Sequence, residues 1–135
     1  MGRKLIVIAA LTLIWSSENL ACELLPGYTE PSISTLASAA TYIVEATYES
    51  KLDGGFYHFS VHRWHKGDGS SSIRVAGFGA GPDCKLPVPR ERAILFLSRK
   101  AINGHYWLDD IGPFTGVREA SEYVIEEIKK ATPTK

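Results

Sequence analysis

The stretch Phe56-Tyr-His-Phe-Ser-Val-His-Arg-Trp64 decides the fold class. Tyr57, Phe59 and Val61 fall on one side of it, and His58, Ser60 and His62 on the other. A period of two belongs to a strand with one buried face, not to a helix. Trp64 falls out of step, which a β-bulge explains by inserting one extra residue. Just before this stretch, Lys51-Leu-Asp-Gly-Gly55 is a turn, because Asp-Gly-Gly supplies the positive φ that a hairpin needs. Further back, Thr41 to Tyr48 is β-branched and aromatic, which predicts a strand. On the other side, Lys66-Gly-Asp-Gly69 is a second turn, and Ile73 and Val75 mark a third strand. Ala93-Ile-Leu-Phe-Leu97 is apolar throughout, the pattern of a strand buried on both sides. His105 to Leu108 supplies a fifth strand. Between the third and fourth, Gly77-Phe-Gly-Ala-Gly-Pro-Asp-Cys84 and then Pro87 and Pro89 read as a loop, since proline cannot pair regularly.

A helix is predicted at each end of this set. Pro31 to Ala40 starts with a proline suited to a first turn and places Ile33, Leu36 and Ala40 on one face. Arg118 to Ala131 carries Ala120, Val124 and Ile128 at helical spacing, with Lys129 and Lys130 near its C-terminus. Five strands with a short N-terminal helix and a C-terminal helix predict a mainly β protein. Its architecture is a five-stranded OB-type Greek-key barrel, which also removes exposed sheet edges.

The start of the chain has a separate meaning. Met1-Gly-Arg-Lys4 is basic, and Leu5 to Trp15 is an apolar run of eleven residues. As a helix that run reaches only about 16 Å, against roughly 30 Å of bilayer hydrocarbon. With the polar residues that follow and Leu20-Ala21 at the boundary, residues 1–21 read as a signal peptide. Residues 22–135 are then the mature domain, exported to the periplasm or medium, with Cys22 first. Fifteen basic residues balance fifteen acidic ones in the whole chain, and the signal takes with it only Arg3, Lys4 and Glu18. A near-neutral domain is a poor general binder of phosphate backbone, so nucleic acid is not expected as a partner.

Two cysteines, Cys22 and Cys84, remain in an oxidising compartment. An even pair in a small exported domain reads as one disulfide. It closes a loop of about sixty residues and is worth about 4 kcal/mol by the loop-entropy argument. The rival reading is an envelope lipoprotein with its lipid on Cys22 and a lone thiol at Cys84. In that case alone the protein is membrane-associated.

No catalytic constellation is legible, and no cofactor is expected. His58 and His62 share a strand face but lie about 13 Å apart on regular extended backbone, too far to chelate one zinc. With His65 and His105 they read as solvent-facing polar residues. Asp109 and Asp110 are neighbours and point in opposite directions on extended chain. Gly77 to Gly81 has neither of the phosphate-loop spacings, and no Gly-x-Ser-x-Gly elbow occurs. Tyr57, Phe59, Trp64, Tyr106 and Trp107 offer rings on which a base or a sugar could stack.

The ordered features carry a resemblance. A cysteine at the mature N-terminus precedes a short Ala-rich helix, then Tyr42-Ile-Val-Glu-Ala46. Next come Phe59-Ser-Val-His-Arg-Trp-His-Lys-Gly67 and a cysteine in the third inter-strand loop. Over residues 22–106 this resembles the netrin-like domain, in particular its tissue-inhibitor-of-metalloproteinases branch and the small exported bacterial proteins similar to it. The resemblance implies an OB-type barrel whose N-terminal segment is tied to the loop of Cys84. It also implies that the α-amino group and carbonyl oxygen of Cys22 chelate the zinc of a target metalloendopeptidase, with Glu23 aimed at its primed-side pocket. Two positions depart from the family pattern: Leu24 stands where a second cysteine belongs, and Glu23 replaces a small residue. A lipid-bearing, acylated Cys22 has no such amine, and the domain would then be an envelope-associated interaction or ligand-binding module. A single non-enzymatic domain, monomeric, is the expectation.

Overall fold

The computed structural model describes residues 29–79, 87–108 and 116–133. Its elements run α1 (Ile33–Ala39), β1 (Tyr42–Lys51), β2 (Phe56–Lys66), β3 (Ser72–Ala76), β4 (Ala93–Leu97), β5 (His105–Trp107), β6 (Val117–Glu119) and α2 (Glu122–Ala131). The six strands form one sheet in the order β5-β3-β2-β1-β4-β6, curled into a half-barrel. All pairings are antiparallel except β3 with β5.

The curl gives the sheet an inner and an outer face. Val44 and Ala46 of β1, Phe59 of β2, Ile73 and Val75 of β3, Leu95 and Leu97 of β4 and Tyr106 of β5 fill the inner face. Ile43, Ile94 and Phe96 point the other way, beneath Leu36, Ala37 and Ala40 at α1 and Val124 and Ile128 of α2. Both faces of β4 are thus covered, and all five of its residues are buried. Large apolar side chains of this kind stabilise by about 1.5–3 kcal/mol each when fully buried.

The two helices are set by their caps. Ser32 accepts the amide of Thr35 at 3.1 Å, so α1 begins one residue after the serine and Pro31 lies outside it. Ser121 does the same for Val124, which starts α2 at Glu122. The helix expected from Arg118 is therefore shorter. Val117, Arg118 and Glu119 instead pair with Leu95, Ile94 and Ala93 as a sixth strand. The fold is mainly β with a helix at each end, and its sheet has six strands where five were expected. A single bridge, Leu97 to Leu108, and the Ser98 amide on the Trp107 carbonyl (2.9 Å) bring the ends of β4 and β5 together.

The hairpin of β1 and β2 carries more irregularity than the sequence suggested. Ala46 faces Val61 but Glu45 faces Arg63; Val44 faces Trp64 but Ile43 faces Lys66. Two residues of β2, His62 and His65, are thus extra. Strict alternation would have driven Arg63 and His65 inward and turned Trp64 out. These two of the three register shifts in the pairing keep Trp64 against the inner cluster and send His62, His65 and Lys66 to partners on the outer side.

The turn after β2 lies flat on aromatic rings. Gly67 has φ of 77°, and a Cβ there would lie 2.5 Å from Tyr42 Cδ1. At Gly69 it would lie 2.6 Å from Trp64 Cζ2. Tyr42, Trp64 and Tyr106 meet one another beneath that turn, with ring centroids 5.3–6.1 Å apart.

Candidate functional site

One polar network crosses the outer face of β1, β2 and the chain entering β4. It centres on Glu45, a carboxylate buried to 8% side-chain exposure. Oε2 accepts from His65 Nε2 at 3.1 Å and Oε1 from Arg92 at 3.2 Å. A second Arg92 nitrogen lies 3.1 Å from His62 Nδ1, and His62 Nε2 lies 2.7 Å from Thr47 Oγ1. An arginine can only donate, so Nδ1 of His62 accepts and Nε2 carries the proton that Thr47 accepts.

Both oxygens of Glu45 are hydrogen-bonded and buried, so this carboxylate is not presented to solvent. The network works as a clasp. Arg92, half exposed, is the hand that β1 and β2 hold, and it fixes the segment that leads into β4. That segment, Pro87 to Ala93, is one wall of a cleft of about 460 Å³ whose opposite wall is Val117, Arg118 and Glu119 of β6. The second wall is clasped in turn. Arg118 binds Glu30 at 2.9 Å and reaches the Pro31 carbonyl at 3.4 Å, tying β6 to the start of α1.

The residues expected to act, Cys22, Glu23 and Cys84, lie outside the described residues, as do Asp109 and Asp110. Among the described residues, Arg118 on the β6 wall holds Glu30, and Pro87 lines the other wall.

The histidines take separate partners: His58 pairs with Ser72 Oγ, His62 and His65 belong to the clasp, and His105 Nδ1 donates to the Asn103 carbonyl at 3.1 Å. Solvent alone does not account for them, since the side chain of His65 is only 5% exposed. Among the described residues no group of His, Cys, Asp and Glu is arranged to hold a metal ion. Of the rings proposed for stacking, Phe59 and Tyr106 are core, and Tyr57 and Trp64 pack against it. Only Trp107 lies on the outer face, in contact with Phe56, which also meets His105; the sequence did not single out either of these for this. The strand period carried that information: Phe56 is in phase with His58, and His105 and Trp107 flank the inward Tyr106.

No protein-family model matches the chain, and no curated protein matches it. Among the described residues no helix is long and apolar enough to cross a membrane.

Proposed function

We propose that the chain is an exported, non-enzymatic netrin-like protein with an OB-type barrel, and that it inhibits a zinc metalloendopeptidase through Cys22. The strand connections support the barrel reading. β1, β2 and β3 form a meander, β3 pairs in parallel with β5, and β1 pairs with β4. The Leu97–Leu108 bridge sits where such a barrel would close, leaving β6 as an addition.

The observation that carries the functional reading is the cleft between Pro87–Ala93 and Val117–Glu119. One wall begins at Pro87, three residues after Cys84 in sequence, and the other holds Glu30, eight residues after Cys22, through Arg118. A bridge between the two cysteines would fix the N-terminal amine before it meets its target, which lowers the ordering cost of binding. An α-amine has a pKa near 8 and loses its proton to a metal at little cost. With the adjacent carbonyl it would occupy two positions on the target's zinc and displace the catalytic water. Glu23 would follow into the primed side, where an unpaired charge costs several kcal/mol in an apolar pocket. The target's pocket must therefore supply a cation.

Inhibition of a panel of zinc endopeptidases by residues 22–135 tests this against the same protein bearing one extra N-terminal alanine. Inhibition by the first and at least a hundredfold weaker inhibition by the second is the expected result. No inhibition at micromolar concentration, or equal inhibition by both, would overturn the mechanism.

A further inference from the structure

The outer face of β2, β3 and β5 carries an aromatic and cationic surface that the cleft and the clasp do not use. The sheet residues buried beneath the two helices are Ile43, Ile94 and Phe96, of β1 and β4. The other half of the outer face is left to side chains in phase across three strands. Phe56, Ala76 and Trp107 form one row, and His58, Arg74 and His105 form the next. Ala76 in the middle of the first row lets the flanking rings meet: Phe56 and Trp107 lie 6.0 Å apart at 73°, and Phe56 and His105 4.5 Å apart. All three rings keep part of their surface exposed. The guanidinium of Arg99, on the β4–β5 connection, lies 4.9 Å above the Trp107 ring.

The charges on this surface are unbalanced. Arg74 and Arg99 are exposed, and neither has a carboxylate partner among the described residues. His105 spends Nδ1–H on the carbonyls of Asn103 and Ile102, which leaves Nε2 as an acceptor facing out of that bond. Rings give a flat apolar floor, two arginines give forks that match carboxylates, and a ring nitrogen accepts a hydroxyl.

We propose that the Phe56–Trp107 floor with Arg74 and Arg99 binds an acidic oligosaccharide, sugar rings on the aromatics and uronate carboxylates on the arginines. A nucleic acid also has flat rings and negative charge, but its affinity rests on many phosphate contacts, and this surface offers two cations on a protein of zero net charge. The surface lies on different strands from the cleft walls, so it is independent of protease inhibition.

Calorimetric titration of residues 22–135 at fixed ionic strength tests it, with tetragalacturonate, a neutral galactose tetramer and decathymidylate as probes. The expected result is saturable binding of the uronate only, weakened about tenfold in Arg74→Gln, the fold-change of one lost charge-assisted hydrogen bond, and similarly in Trp107→Phe. Arg74 is exposed, so its replacement does not depend on refolding a core. Absence of binding at millimolar uronate overturns the proposal. So does unchanged affinity in Arg74→Gln, or tighter binding of the neutral tetramer or of decathymidylate.

Discussion

Lys66→Met should destabilise the domain by about 2–3 kcal/mol, although the residue is a lysine at the end of a strand. The reason lies in helix α1, which has seven residues and no basic side chain in its last turn. The amide that would donate to the Ala37 carbonyl in a continuing helix is that of Thr41, four residues on. It goes to the Leu97 carbonyl instead, at 2.8 Å, where the chain turns into β1. Lys66 takes its place, donating from Nζ to Ala37 at 2.9 Å and to Ala40 at 2.6 Å. A hydrogen bond to a charged group contributes about 1.5–3 kcal/mol, and a part-buried carbonyl left unpaired costs about 1–3 kcal/mol. The two bonds come from one ammonium and are not additive, which sets the total near the top of the single-bond range. Methionine keeps the apolar stem and removes only the charge. Urea unfolding at neutral pH should show the midpoint falling by about 1–2 M at a slope near 1.5 kcal/mol/M, with Lys66→Arg recovering part of the loss. A midpoint within about 0.3 M of the parent would refute the capping argument.

Three further outcomes follow from the packing. Gly67→Ala should cost more than Gly69→Ala, because it combines a left-handed backbone with a clash on Tyr42, whereas Gly69 meets the Trp64 ring and the Tyr106 hydroxyl without a positive φ. Overpacking alone costs about 1–3 kcal/mol, and equal, small losses in both variants by urea titration would contradict the flat-turn geometry. Glu45→Ala should cost about 1–3 kcal/mol by stranding His65 in a buried position, and Arg92→Met less, since Arg92 is half exposed; the reverse order would show that the clasp hangs on Arg92. Burial, with the Tyr42 phenol and the Asp68 carboxylate nearby, pushes the Tyr106 phenol above its ordinary 10.0. The folded state then holds a proton that the unfolded chain releases first. Stability from this residue is complete below pH 10 and is lost as pH rises through the folded value. Urea midpoints taken from pH 9 to 11 should fall more steeply for the parent than for Tyr106→Phe.

The strands were readable because their signals are local. Phe56 to Val61 alternates and does so in the structure, and Ala93 to Leu97 is apolar because helices cover one side of it and the inner cluster the other. The sixth strand was hidden because Val117-Arg118-Glu119 has three residues and no period of its own; it exists through pairing with β4. The bulges were half legible. Trp64 announced one, but its position at His62, and the second at His65, depend on which residues β1 offers opposite.

The site was less legible than the fold for the same reason. Glu45 and Arg92 are 47 residues apart in sequence, and nothing local to either marks the other as its partner. His62 and His65 looked like solvated polar residues because their shared carboxylate lies on a different strand. The run Trp64-His-Lys-Gly67, which carried the family resemblance, turns out to have a structural role at each position. Trp64 supports the inner cluster, His65 the clasp, Lys66 the end of α1, and Gly67 the flat turn. Those roles belong to the scaffold, while the proposed chemistry belongs to Cys22 alone.

The most direct test of that chemistry is the intact mass of the natively exported protein, measured with and without reduction and thiol alkylation. A mass for residues 22–135 less two hydrogens, with no reactive thiol until reduction, is the predicted result: a free α-amine on Cys22, bridged to Cys84. A mass raised by a diacylglycerol and an acyl chain, with one reactive thiol at Cys84, would contradict it, because an acylated amine cannot chelate zinc.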